Sequence, residues 1–93
     1  MKFTINRKEL MKGLRKSGRK KDAVISAADG KVSITSSDTV ALAADVHESG
    51  QCELQKKAML TRVLDTFSDD EITVSVDDGR LAIGSFSMSV KRH

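Results

Sequence analysis

The sequence predicts an α+β domain made of two pseudo-symmetric halves, each running strand-helix-strand-strand-strand, with both helices on one side of the sheets. Three observations predict it. Two stretches of the chain recur at a common offset of 49 residues. Each half carries a pair of strand-like segments closed by an Asp-Gly turn, and each holds one segment with apolar residues at helical spacing. At 93 residues the chain forms one domain, residues 1–93, with internal halves of about 1–49 and 50–93.

At that offset Phe3-Thr4-Ile5-Asn6-Arg7-Lys8 lies over Cys52-Glu53-Leu54-Gln55-Lys56-Lys57, and Leu10-Met11 over Met59-Leu60. Further on, Asp29-Gly30-Lys31-Val32-Ser33-Ile34 lies over Asp78-Gly79-Arg80-Leu81-Ala82-Ile83. A shared offset without a gap points to a duplication. Two copies are too few for a solenoid, so they close on one another.

Residues 1–5 alternate, with Met1, Phe3 and Ile5 on one face, which predicts a half-buried strand. Asn6 suits a helix N-cap, with Glu9 at the third helical position. The helix runs to about Ser17, and Gly18 takes the left-handed position past its end. Strands over residues 23–28 and 31–36 flank Asp29-Gly30, a favoured tight hairpin turn. A strand over residues 39–46 turns Val40, Leu42, Ala44 and Val46 one way. The second half repeats the order. Residues 51–54 form a strand, Gln55 is a weaker cap, and residues 57–67 form a helix with Met59, Leu60, Val63, Leu64 and Phe67 inward. Strands over residues 71–76 and 80–85 flank Asp78-Gly79, and residues 86–91 form the last of eight strands.

The formal charge of +3 hides an uneven distribution. Residues 1–21 carry nine of the 16 basic residues and only one acid, Glu9, which leaves residues 22–93 with a net −5. On the first helix Lys8, Lys12, Arg15, Lys16 and Arg19 fall opposite the apolar stripe of Leu10, Met11 and Leu14, while Arg7 flanks that stripe. Lys8/Lys12, Lys12/Lys16 and Arg15/Arg19 are like pairs four residues apart, each unfavourable by a few tenths of a kcal/mol. A bound polyanion relieves that repulsion. Lys20 and Lys21 extend the patch into the following loop, and the second helix adds Arg62, with Lys56 and Lys57 near its start. Lys8, Lys12, Arg15, Lys16, Arg19, Lys20 and Arg62 are the candidate phosphate contacts.

Composition excludes other classes. The single cysteine, Cys52, cannot form an internal disulfide, and at Phe3's place in the repeat it reads as a small buried apolar residue rather than a nucleophile. No apolar run approaches the roughly 18 residues of a membrane span, and the N-terminus has no apolar signal core. A soluble, cytoplasmic protein with no membrane partner is expected. With no Trp or Tyr and only Phe3, Phe67 and Phe86, stacking on unpaired bases has little support. Asp69-Asp70-Glu71 and Asp77-Asp78 lack calcium-loop spacing and read as turns. His47 and His93 have no partners at zinc-ligand spacing. No phosphate-binding loop or nucleophile elbow is present. No enzyme, metal or cofactor is expected.

The opening Met1-Lys2-Phe3-Thr4-Ile5, the following Asn6-Arg7-Lys8-Glu9-Leu10, the stretch from Ala28-Asp29-Gly30 to Thr35 with Ser37-Asp38, and Glu71-Ile72-Thr73-Val74-Ser75-Val76 resemble the first domain of the bacterial DNA polymerase sliding clamp. The resemblance is collinear over nearly the whole chain. It implies a DNA-clamp-like domain associated with replication, in a family where six such domains ring duplex DNA with helices inward. Phosphate contact then falls to Lys8, Lys12, Arg15, Lys16 and Arg19, with Arg62 beside them, independent of base sequence. Two departures stand out: bacterial clamps carry three domains per chain, and the link Gly18-Arg19-Lys20-Lys21-Asp22 is shorter than theirs.

A ring built from this chain requires self-association through edge strands, residues 39–46 of one copy against residues 86–91 of the next. Val40, Leu42, Ala44, Ser87 and Ser89 are the candidate interface residues, and a polymerase or clamp loader the implied further partner. The expected function is a sequence-independent duplex-DNA-binding protein, as a homo-oligomeric ring acting as a processivity factor. The alternative is a clamp-like adaptor that binds replication proteins or a cellular clamp through an edge strand.

Overall fold

The computed structural model describes residues 1–92; His93, singled out above, lies outside the described residues. The first half comprises β1 (Lys2–Asn6), α1 (Arg7–Lys16), β2 (Ala23–Ala28), β3 (Lys31–Thr35), β4 (Thr39–Ala43) and β5 (Asp45–Glu48). The second comprises β6 (Gly50–Leu54), α2 (Lys57–Thr66), β7 (Glu71–Asp77), β8 (Arg80–Ile83), β9 (Phe86–Ser89) and β10 (Lys91–Arg92). Both hairpins form where the turn chemistry demands. Asp29 and Gly30 have φ of 52° and 73°, Asp78 and Gly79 have 49° and 74°, and positive φ at both central residues matches the right-handed twist of flanking strands.

The strands form two antiparallel five-stranded sheets, in the orders β5-β1-β7-β8-β9 and β10-β6-β2-β3-β4. Each half therefore lends its first and last strands to the sheet that holds the other half's hairpins. Phe3 pairs with Val74 across β1 and β7, and Cys52 pairs with Ile25 across β6 and β2, the same register one repeat apart. The helices lie against one another, and α1 rests on β1 and β4.

The last strand of each half is divided, so ten strands replace the expected eight. The Ala44 N–H donates to Gly30 O at 3.1 Å, and the Val90 N–H donates to Gly79 O at 2.9 Å. At each point this bond adds one last pair to the hairpin ladder, opposite the turn glycine, beyond which the partner strand has ended. The chain then bends out of one sheet and joins the other, β5 against β1 and β10 against β6.

Phe3, Ile5, Leu10, Leu14, Ile25, Val32, Ile34, Leu54, Leu60, Leu64, Val74 and Leu81 are fully buried between sheets and helices. Cys52 is buried among them, and burial raises its thiol pKa to about 11, partly offset by the N-terminal ammonium.

The helical register differs from the 49-residue alignment. Leu10 and Leu14 are the fully buried leucines of α1, and Leu60 and Leu64 those of α2. Their spacing is 50, because Gln55 and Lys56 separate β6 from α2 whereas α1 follows β1 directly. Met59, expected inward, is consequently rotated out to 40% exposure. Lys56 rather than Gln55 stands at the N-cap, with no side-chain capping bond.

Candidate nucleic-acid interface

Local signals hold α1 in place at both ends. Asn6 Oδ1 accepts the Glu9 N–H at 3.0 Å, the expected cap. At the far end Gly18 has φ +117°, and a Cβ there would lie 2.5 Å from that of Ser37. Only glycine lets the chain pass this close to the β3–β4 turn. With Leu10, Met11, Gly13 and Leu14 buried, the opposite face points to solvent. Lys8, Lys12, Arg15 and Lys16 are all exposed on it, and Arg19 and Lys20 are exposed on the loop that follows.

Arg62 is exposed on α2, and tertiary packing brings it beside the end of α1. A groove of about 480 Å³ runs along this seam, lined by Arg15, Arg19, Lys20 and Lys21 on one side and by Ala58, Thr61, Arg62 and Asp65 on the other. Of the seven candidate phosphate contacts, four line this groove; Lys8, Lys12 and Lys16 stand outside it on α1. Lys21 joins the lining as well, an outcome its place in the Arg19-Lys20-Lys21 run foreshadows.

Two cations near these helices have structural partners instead. Arg7 donates from Nη1 to Leu64 O at 3.0 Å and from Nε to Asp69 O at 2.8 Å. Lys57, which the sequence groups with the anion-binding surface, is only 6% exposed. Its Nζ donates to Gly18 O at 2.5 Å, Ser17 Oγ at 3.2 Å and Ser36 Oγ at 3.5 Å. Burial holds its ammonium below the ordinary lysine pKa, with Asp22 acting partly the other way. The one-residue shift in α2 gives Lys57 the place that Arg7 has in α1, which the 49-residue alignment assigns to Lys56.

The proposed edge residues divide into two kinds. β4 and β9 are outer strands of different sheets. Val40, Leu42 and Ala44 are half-buried, and Leu42 and Ala44 pack against the core, so this edge offers mainly backbone groups. Ser87 and Ser89 are exposed on β9. His47 is engaged with Thr4, its Nε2 lying 3.0 Å from Thr4 Oγ1. Among the described residues no cluster of His, Cys, Asp or Glu is arranged to hold a metal ion, and no helix is long and apolar enough to cross a membrane.

No family model and no curated protein matches the chain. Solved structures do. The DNA polymerase III subunit beta sliding clamp of Bartonella birtlesii superposes with TM-score 0.83 at 20% identity, over 99% of this chain and 32% of that one. Caulobacter crescentus pol III beta gives 0.79 at 21% identity, over 98% and 29%. The Helicobacter pylori beta clamp bound to a DNA ligase peptide gives 0.79 at 16% identity, over 98% and 30%. The chain thus spans about a third of the length of each of these clamps. Its two interlocked halves, paired helices and ten-stranded double sheet have the fold of a single domain of the bacterial DNA polymerase III beta sliding clamp.

Proposed function

We propose that this chain is a clamp-like, non-enzymatic, cytoplasmic protein of DNA replication that binds duplex DNA through its phosphates. The reading rests on one observation above others: Lys8, Lys12, Arg15, Lys16, Arg19, Lys20 and Arg62 are exposed on the two helices and the loop after α1, in a fold shared with replication clamps. Long flexible cations neutralise phosphates without reading base edges, so such contact is independent of sequence and weakened by salt.

The same reading extends to a ring acting as a processivity factor. β4 closes one sheet and β9 the other, and the pseudo-twofold relates them. Pairing β4 of one copy with β9 of the next is therefore a head-to-tail contact, the kind that generates closed rings when the rotation closes. In this arrangement Val40, Leu42 and Ala44 brace the β4 edge from the core side, while Ser87 and Ser89 let the partner strand approach closely. A polymerase or clamp loader is the natural further partner.

The test has two parts. Lys8→Glu with Lys12→Glu and Arg15→Glu should abolish duplex binding at low salt while leaving the circular dichroism spectrum unchanged. The wild-type salt dependence should carry a slope of about 0.9 per phosphate contacted. Unchanged low-salt affinity in the triple variant would overturn the assignment. Six-fold native mass, with retention on circular but not open linear DNA, supports the ring. A monomer that ignores DNA and binds replication proteins assigns the open strand edges to an adaptor instead.

A further inference from the structure

The convex face of α1 suits a rod-like duplex, but the groove beside it has a different shape. Arg15 from α1, Arg19 from the loop and Arg62 from α2 line one concavity from three segments, joined by Lys20 and Lys21. Asp65 is the sole carboxylate in the lining. Lys57 lines the floor, and each of its three hydrogen bonds goes to an uncharged oxygen. Five like-charged side chains around one groove favour an anion within it. Planar guanidinium groups match phosphate oxygens in paired hydrogen bonds. At about 480 Å³ the groove falls within the size of small-molecule sites.

We infer that this groove is a seat for a soluble polyphosphate, the di- or triphosphate group of a nucleotide or its inorganic equivalent. Several adjacent negative charges match the excess of cations over the single carboxylate, which one phosphodiester does not. The seat rests on the reading above insofar as four of its cations, Arg15, Arg19, Lys20 and Arg62, are also proposed duplex contacts. The duplex titration and the one below can nonetheless fail separately.

Inorganic tripolyphosphate is titrated calorimetrically into the full chain at about 50 mM salt, where such contacts are strong, with orthophosphate as the comparison. Saturable binding is expected, roughly tenfold tighter for tripolyphosphate than for orthophosphate, and weakened roughly tenfold or more in Arg19→Gln with Arg62→Gln. Lys2→Gln with Lys31→Gln removes the same charge from exposed sites on the strands and should leave the affinity unchanged. Absence of saturable binding, or equal weakening in both double variants, would overturn the seat. A pre-bound short duplex that blocks tripolyphosphate in proportion to its occupancy would reassign the groove to backbone phosphates and overturn the soluble ligand. Binding of both together supports it.

Discussion

Arg7 and Lys57 each begin a helix and each reaches across to the end of the other. Arg7 Nη1 bonds Leu64 O in the last turn of α2, and Lys57 Nζ bonds Ser17 Oγ and Gly18 O just past α1. The main chain repeats the device: the Arg7 N–H donates to Asp70 O at 2.8 Å, and the Lys57 N–H donates to Lys21 O at 2.8 Å. A cation at a helix N-terminus opposes its own helix dipole, but the antiparallel neighbour ends at the same place, where the dipole's negative end and the carbonyls at or just past the last turn favour a cation. Each cation therefore satisfies the helix beside it.

Removing the buried side of this clasp should be the more harmful. Lys57→Ala takes the ammonium from the part-buried Gly18 O and from the buried Ser17 Oγ, which keeps only its bond to Leu14 O, and should lower the free energy of urea unfolding by roughly 1–3 kcal/mol. Arg7→Ala, at a half-buried site open to water, should lower it less. Equal losses in the two variants would contradict the asymmetry in burial.

Glycine is required at Gly18 and not at Gly13. Gly18→Ala forces a side chain into φ +117° and against Ser37, and should destabilise by about 1–3 kcal/mol in thermal or urea unfolding. At Gly13 an added methyl meets the ends of Leu42 and Ile34, at 2.7 and 3.1 Å. The half-buried Leu42 can turn aside, and helix propensity favours alanine by about 1 kcal/mol. Gly13→Ala should thus stay within about 1 kcal/mol of wild type.

The register of α2 is checked by two neighbours. Met59→Glu, on the solvent side, should change stability by no more than about 0.5 kcal/mol. Leu60→Ala should lose about 2–5 kcal/mol. The opposite order would restore the 49-residue alignment through the helix.

Cys52 supplies the pH dependence. Its thiol pKa stands at about 11 in the folded chain against an ordinary value of 9.0, so folding favours the protonated form. That stabilisation is complete below pH 9.0 and is lost as pH rises through about 11. Cys52→Ala should therefore flatten the fall in stability over this range, by an amount on the order of 2 kcal/mol. At neutral pH the native thiol should react with a disulfide reagent far more slowly than the unfolded one.

Much of the candidate interface was legible because it depends on local periodicity. Leu10, Met11 and Leu14 define one side of α1, so Lys8, Lys12, Arg15 and Lys16 had to fall on the other. Arg62 was legible as an outward residue, but its meeting with Arg15 and Arg19 was not, since that depends on how two helices far apart in sequence lie together. Lys57 reads as one more surface cation until Gly18 and Ser36 are folded around it.

By itself, the sequence determined the two-fold order of elements, the two Asp-Gly hairpins, the Asn6 cap, the glycine after α1 and the charged face of α1, for each follows from the conformational preferences of residues a few positions apart. Tertiary structure alone decided which sheet each strand joins, the division of two strands at Ala44 and Val90, the one-residue shift in α2 and the groove between the helices. Those depend on hydrogen bonds and side-chain packing between the two halves, whose partners lie dozens of residues apart and which no local pattern encodes.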